Sequence, residues 1–231
     1  MTTQQVTTHQ ELTMPSANGL TRFIGTGAWA AIISGLALAA SLLLEWLLLP
    51  YEQLGQTETL LTSSYLLSAG LRLLSTILLL WALIGLYERQ SRAAGTFGLW
   101  AFIVAFLGTA LQAGETWAEV FAFPPLGQAV PGLWSGQATE ASSYLMSGIF
   151  LTGVFLGLGW ILFGASMFSA RVYPSWAAVL LIVSIPVTIF LGGQNQESGT
   201  FVEALGQIMF GIAVAALGFY ALKIAPASTS S

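Results

Sequence analysis

SYLLSAGLRLLSTILLLWALIGLY, residues 64–87, carries a single formally charged side chain, Arg72. A bilayer-spanning helix takes about 20 predominantly apolar residues, so this stretch reads as a transmembrane helix. Its polar members, Tyr65, Ser68, Arg72, Ser75 and Thr76, fall at i, i+3, i+7, i+10 and i+11, which gathers them on one helical face. An arginine in hydrocarbon costs about 2.5–3.5 kcal/mol on insertion scales, so this face turns toward other helices and finds an acceptor there. The stretch therefore predicts both a membrane and a bundle around it.

Five further stretches meet the same criterion, at about 26–49, 96–118, 143–168, 175–192 and 201–222. The fifth is the shortest and contains Pro186, which membrane helices tolerate better than soluble ones. Barrel strands would show short alternating segments instead. The expected fold is all-α: a polytopic membrane helix bundle of six transmembrane helices occupying 23–223, between a flexible tail at 1–22 and a short one at 224–231. Composition agrees, with 55% hydrophobic and 7% charged residues among 231 and a mean hydropathy of +0.78. Soluble domains are about a quarter charged.

Placing the cations gives the orientation. Arg22, Arg89, Arg92, Arg171 and Lys223 all fall on one side of the six spans, and the opposite loops carry Glu52, Glu58, Glu140 and Glu197. The positive-inside rule then puts both termini in the cytoplasm. Trp46, Tyr51, Trp117 and Tyr144 mark the outer boundary, and Tyr87, Tyr173, Trp176 and Tyr220 the inner one, as interfacial anchors do. Close-packing residues are also in view: Gly27, Ala31, Gly35 and Ala39 in span one, Gly148, Gly153, Gly157 and Gly164 in span four, Gly211 and Gly218 in span six. Such small residues let helix backbones approach.

Several function classes fall away. A net charge of −4 and no basic patch argue against nucleic acid as a partner. Cysteine is absent, and the sole histidine, His9, lies in the polar tail, which excludes a histidine-ligated haem or zinc in the membrane. No Ser/His pair, aspartate, phosphate-binding glycine loop or HExxH helix occurs. Catalysis has no constellation to work with, and neither a cofactor nor a metal is expected.

Polarity that survives inside the spans marks the candidate site. Arg72 lies roughly 12 Å below the outer start of its helix. Span three offers Gly108, Gln112, Glu115 and Glu119 on one face, span one offers Glu45, and span six offers Glu203 and Gln207. The expected cluster is Glu45, Arg72, Gln112, Glu115 and Gln207, with Glu115 or Glu45 as partner of the arginine. Two readings follow. The cluster lines an outward-facing cavity of a small-molecule or cation binding or transport protein, because several carboxylates around one arginine cannot all ionise cheaply. Alternatively, a purely structural ion pair fixes the packing of an accessory or scaffold subunit of a larger membrane complex. The lipid bilayer is the partner common to both, and either accommodates homo- or hetero-oligomers. The apolar, Pro-containing connection at about 119–142, with Phe121, Phe123, Pro124, Pro125, Leu126 and Trp134, is an interfacial segment able to cover the cavity mouth or an ordinary connector.

Trp81-Ala-Leu-Ile-Gly85 and Trp160-Ile-Leu-Phe-Gly164 form a faint internal repeat of two hairpins. The run Gly157-Leu-Gly-Trp160-Ile-Leu-Phe-Gly164, then Arg171-Val-Tyr-Pro174-Ser-Trp176, resembles uncharacterised six-span bacterial integral membrane proteins, domain-of-unknown-function families with a basic-Pro-x-Trp turn before span five. Glu119 to Leu126, with Ala129-Val-Pro131, is similar to a Pro-containing connector of such proteins. The resemblance implies a multi-pass protein of the bacterial cytoplasmic (inner) membrane and brings no activity with it.

Overall fold

The computed structural model describes residues 17–49, 57–130, 133, 140–191 and 199–223. Their helices are α1 (Ala17–Leu48), α2 (Thr57–Leu60), α3 (Ser63–Phe121), α4 (Phe123–Ala129), α5 (Glu140–Ala170), α6 (Ser175–Pro186), continued by a π-helical turn at Val187–Leu191, and α7 (Gly199–Lys223). Four of the described helices are long and apolar enough to cross a membrane: Ile24–Leu48, Ser63–Phe121, Ser142–Ala170 and Phe201–Lys223. The helical stretch Ser175–Ile189 is apolar but shorter. α1 begins at Ala17, inside the 1–22 stretch expected to be a tail. Hydropathy locates the part of a helix that lipid covers, not the residue where its hydrogen bonding starts.

The 59 residues of α3 are not one rod. Gly95 leaves helical geometry at φ 58°, ψ −152°, a conformation that only glycine adopts without steric cost. The chain folds back on itself there. The rings of Tyr87 and Phe102 stack with centroids 4.4 Å apart, whereas a straight helix would separate those residues by roughly 22 Å. α3 is thus two antiparallel arms, 63–94 and 96–121.

Six helical segments close into a ring in chain order, and glycines set its tightest contacts. A Cβ on Gly27 of α1 would stand 2.9 Å from the Gly85 Cα of the first arm. One on Gly108 of the second arm would stand 2.5 Å from the Leu156 N of α5, and one on Gly159 of α5 the same distance from the Ala105 Cα. Gly164 packs α5 on Ile182 of α6, Gly206 packs α7 on Thr188, and Gly35 meets Gly211 to close α7 onto α1. Gly148 and Gly153 do not follow the packing expectation: nothing lies within 4 Å of a Cβ built on either. They sit toward the end of α5 where the ring widens.

The interior is partly polar and the outer face apolar, the reverse of a soluble globule. Trp29, Leu36, Trp46, Leu47 and Phe150 each expose more than half their surface. Ser34, Ser41, Ser68, Ser75, Gln90, Thr109, Ser166 and Ser184 are buried. Their hydroxyls and amides bind one another and neighbouring carbonyls. Ser34 Oγ donates to the Ser75 carbonyl and Ser75 Oγ to the Ser34 carbonyl, each at 2.9 Å. Gln90 Nε2 donates to Ser166 Oγ at 3.1 Å. Such a surface is soluble in lipid and not in water, so the chain is a multi-pass membrane protein.

One end of the ring gathers cations. Arg89 and Arg92 precede the Gly95 turn, Arg171 sits at the α5–α6 turn with φ 54°, and Lys223 ends α7, its Nζ 4.3 Å from the Phe219 ring centroid. Tyr173, in that same turn, donates its hydroxyl to the Leu86 carbonyl at 3.1 Å. Burial pushes its phenol above the ordinary tyrosine range, so it remains a donor. Trp81 and Trp160, the anchors of the faint repeat, differ in setting: Trp81 is 45% exposed and Trp160 fully buried. The two pentapeptides therefore do not make equivalent contacts.

Candidate functional site

At the end of the ring opposite those cations, the two arms of α3 bring Arg72 and Glu119 together. Arg72 Nη2 lies 2.8 Å from Glu45 Oε1 and 3.3 Å from Glu119 Oε2. In a straight α3 the arginine and Glu119 would stand roughly 70 Å apart, so the pair exists because the helix turns at Gly95. The same Glu45 oxygen also accepts from Ser68 Oγ at 2.8 Å, a hydroxyl shared with the Ser41 carbonyl at 3.1 Å. The contact to Glu119 is attraction without hydrogen-bond alignment, since Glu119 Oε2 and Arg72 Nε are both buried without a hydrogen-bond partner. The three side chains remain 16–21% exposed, on the side of the cavity described next.

Beside the triad is a cavity of about 360 Å³, walled by every segment of the ring. α1 contributes Leu38; the first arm Arg72, Ser75 and Thr76; the second Gln112, Glu115, Thr116 and Glu119. α5 contributes Ile149, Gly153 and Leu156, the α6 end with its π-turn Ile185, Thr188 and Ile189, and α7 Glu203, Gln207 and Phe210. Polar groups cluster on α3 and α7, while α5 and α6 supply most of the apolar wall. The π-turn follows Pro186, whose missing N–H breaks the α-helical ladder. Such turns frequently occur at functional sites. Glu203 is exposed and accepts from Gln207 Nε2 at 3.1 Å.

Of the five residues expected at the site, Arg72, Gln112, Glu115 and Gln207 all line this cavity. Glu45 lies behind Arg72 as its closest carboxylate. Among the described residues, Glu115 is not the arginine's ion-pair partner; Glu119 takes that place beside Glu45. The sequence reading put Glu119 on the correct helical face but at the very boundary of its span and left it out of the cluster. A usable signal existed: nearly equal numbers of residues separate Arg72 and Glu119 from Gly95, so a turn at that glycine sets the two side by side. Thr116, Thr188 and Phe210 were also missed, and nothing in their local sequence distinguishes them from packing residues.

α4, with Pro124 at its start, forms a short helix from the Phe123–Ala129 part of the Pro-containing connection. Phe123, Pro124 and Gly127 are buried, and no α4 residue lines the cavity. Trp134 lies outside the described residues. No group of three or more His, Asp or Glu side chains among the described residues is placed to hold a metal ion. Comparison with family models, with curated proteins and with solved structures returns no match.

Proposed function

We propose that this chain crosses the membrane six times and binds, and carries, a small molecule or cation in the cavity beside Arg72. The cavity itself supports this reading most strongly. A void of about 360 Å³ falls within the range of small-molecule sites, roughly 300–1,000 Å³. It combines apolar walls with convergent polar side chains, as such sites do. The two arms of α3 and the apolar run Ser175–Ile189 make six crossings when added to α1, α5 and α7. The clustering of Arg89, Arg92, Arg171 and Lys223 at one end supports cytoplasmic termini, with the cavity in the outer half. The resemblance to six-span bacterial proteins supports a bacterial cytoplasmic membrane.

The competing reading is an accessory or scaffold subunit, and one observation favours it: Arg72 already has two carboxylates and needs no ligand for charge balance. The two differ in whether water enters. Because the chain has no cysteine, a single one can be introduced as a reporter. Gly153→Cys faces the cavity with open space before it, and Gly114→Cys, on the exposed side of the second arm, serves as the lipid-facing control. In intact membranes a hydrophilic methanethiosulfonate added from outside is expected to modify the first and spare the second. No reaction at Gly153→Cys means a dry triad and a structural role. Orientation is checked separately: Gln56→Cys and Gln194→Cys should react with an impermeant maleimide from outside, and Ser91→Cys should not.

A further inference from the structure

The charge arrangement of the cavity narrows its occupant, provided the cavity is a binding site as read above. The arginine's charge is taken up by Glu45 at 2.8 Å and Glu119 at 3.3 Å. Glu115, one helical turn deeper on the cavity wall, has no cation within ion-pair distance among the described residues. The only side-chain hydrogen-bond donor beside it among the described residues is the neutral hydroxyl of Thr152, which it shares with the Gly148 carbonyl at 3.1 Å. Glu203 at the exposed end, held by Gln207 at 3.1 Å, adds a further acidic group. Three carboxylates and one arginine thus face the void, and the arginine is already engaged. An anion entering here meets surplus negative charge. A neutral ligand leaves Glu115 either holding a proton or, if ionised, uncompensated in a low-dielectric wall, where an isolated charge is costly. A cation resolves that cost. Ile149, Leu156, Ile185 and Phe210 form the other side of the same void, a surface suited to an apolar body and not to a hydrated metal ion.

We propose that the cavity binds a small organic monocation, its ammonium group set against Glu115 and its apolar body against α5, the α6 end and Phe210. At about 360 Å³ the site is at the small end of the ligand-pocket range, which suits a single ring or a few short alkyl chains.

The probes are phenethylamine, with phenylethanol and phenylacetate as neutral and anionic counterparts of similar shape. Phenethylamine should slow modification of Gly153→Cys in membranes, and the two counterparts should not. Glu115→Gln in that background should weaken the protection by about 30-fold or more, the usual consequence of removing one member of a desolvated charge pair. The unsubstituted chain in detergent gives an independent readout: phenethylamine should raise its Tm, and phenylethanol should leave it unchanged. Equal protection by phenylethanol or phenylacetate overturns the cation assignment, as does full protection in Glu115→Gln. Modification of Gly153→Cys that none of the probes slows, with no Tm shift, rejects the monocation while leaving the cavity reading in place. No modification of Gly153→Cys at all rejects the cavity reading itself.

Discussion

Around Trp160 the ring is dry. Trp160, Phe163 and Met167 have no exposure, the Trp160 and Phe210 rings meet edge to face at 5.0 Å, and the indole N–H is satisfied by Thr109 Oγ1 at 3.0 Å. Around Arg72, toward the other end, the same helices part to leave about 360 Å³, and charged groups take the positions that side chains fill below. Phe210 belongs to both regions, on the cavity wall above and against Trp160 beneath. In lipid there is little hydrophobic force between helices, so a bundle is held by shape and by internal polar contacts. This molecule divides those two means along its length. Shape closes the half near the cations, and charge spans the half that is not closed. If that division holds, substitutions should cost most where shape is the only glue.

The largest effect is therefore expected at Trp160→Ala. Removing a fully buried tryptophan leaves a cavity that the surrounding helices cannot collapse into, at about 3–5 kcal/mol. Unfolding in mixed micelles titrated with dodecyl sulfate measures it. Trp160→Phe should recover part of the loss, since it keeps one six-membered ring but gives up the rest of the indole volume and a hydrogen bond of about 1 kcal/mol. A small loss in the alanine variant would mean that the dry region is not what holds the bundle.

Next comes Gly108→Leu, on the contact between the second arm and α5. The added Cβ alone would stand 2.5 Å from the Leu156 backbone nitrogen, so backbone and not a movable side chain must yield. Overpacking of this kind costs about 1–3 kcal/mol. Gly153→Leu is the matched control on the neighbouring helix, where the Cβ meets open space. It should be close to neutral for stability while reducing the cavity volume. Equal losses from both would erase the distinction between the two regions.

These contacts also show how much the sequence disclosed and where it stopped. Four long apolar helices, the polar face of residues 64–87 and the small residues of α1 and α7 appear where helix geometry requires them, and Gly148 and Gly153 do not. The turn at Gly95 was legible as a basic connection between two apolar runs, with Arg89 and Arg92 beside it. What did not show was pairing between helices. Whether Arg72 meets Glu115 or Glu119 depends on a register shift of one turn, set by the turn at Gly95 and the Gly108–Leu156 and Gly159–Ala105 contacts. Gly153 looked identical to Gly157 in sequence, and both line the void, yet a Cβ on the first meets open space and one on the second stands 3.2 Å from Ile185 and Ile189. A periodic pattern gives a face, and only packing decides what that face meets.

Arg72→Leu tests the charged half. Deleting one member of a fully buried pair costs about 3–5 kcal/mol. Here all three side chains keep 16–21% exposure, and in the solvated cavity proposed above water would reach the orphaned carboxylates, so about 1–2 kcal/mol is the expected loss. Arg72→Leu combined with Glu45→Gln and Glu119→Gln should regain most of it, because neither of the arginine's two partners is then left as an orphaned charge. A loss matching that of Trp160→Ala would place Arg72 in a dry interior and would count against a solvated cavity.

The smallest effect is expected at the paired serines, midway between the two regions. Ser34 and Ser75 each donate to the other's carbonyl at 2.9 Å, joining α1 to the first arm. Those carbonyls lie in helix interiors, where each already accepts a backbone N–H. The hydroxyls engage a second lone pair, so removing one strands no acceptor. Interhelical hydrogen bonds of this kind in membranes average about 0.6 kcal/mol by double-mutant cycles. Ser34→Ala should cost about that much and Ser75→Ala the same. Because each substitution leaves the opposite bond in place, the two losses should add, with a coupling energy below about 0.5 kcal/mol. Strong coupling would show instead that the two hydroxyls, 3.2 Å apart, act on each other and that each carbonyl contact is secondary. The contact would then be a polar clasp fastening the boundary between the closed half and the open one.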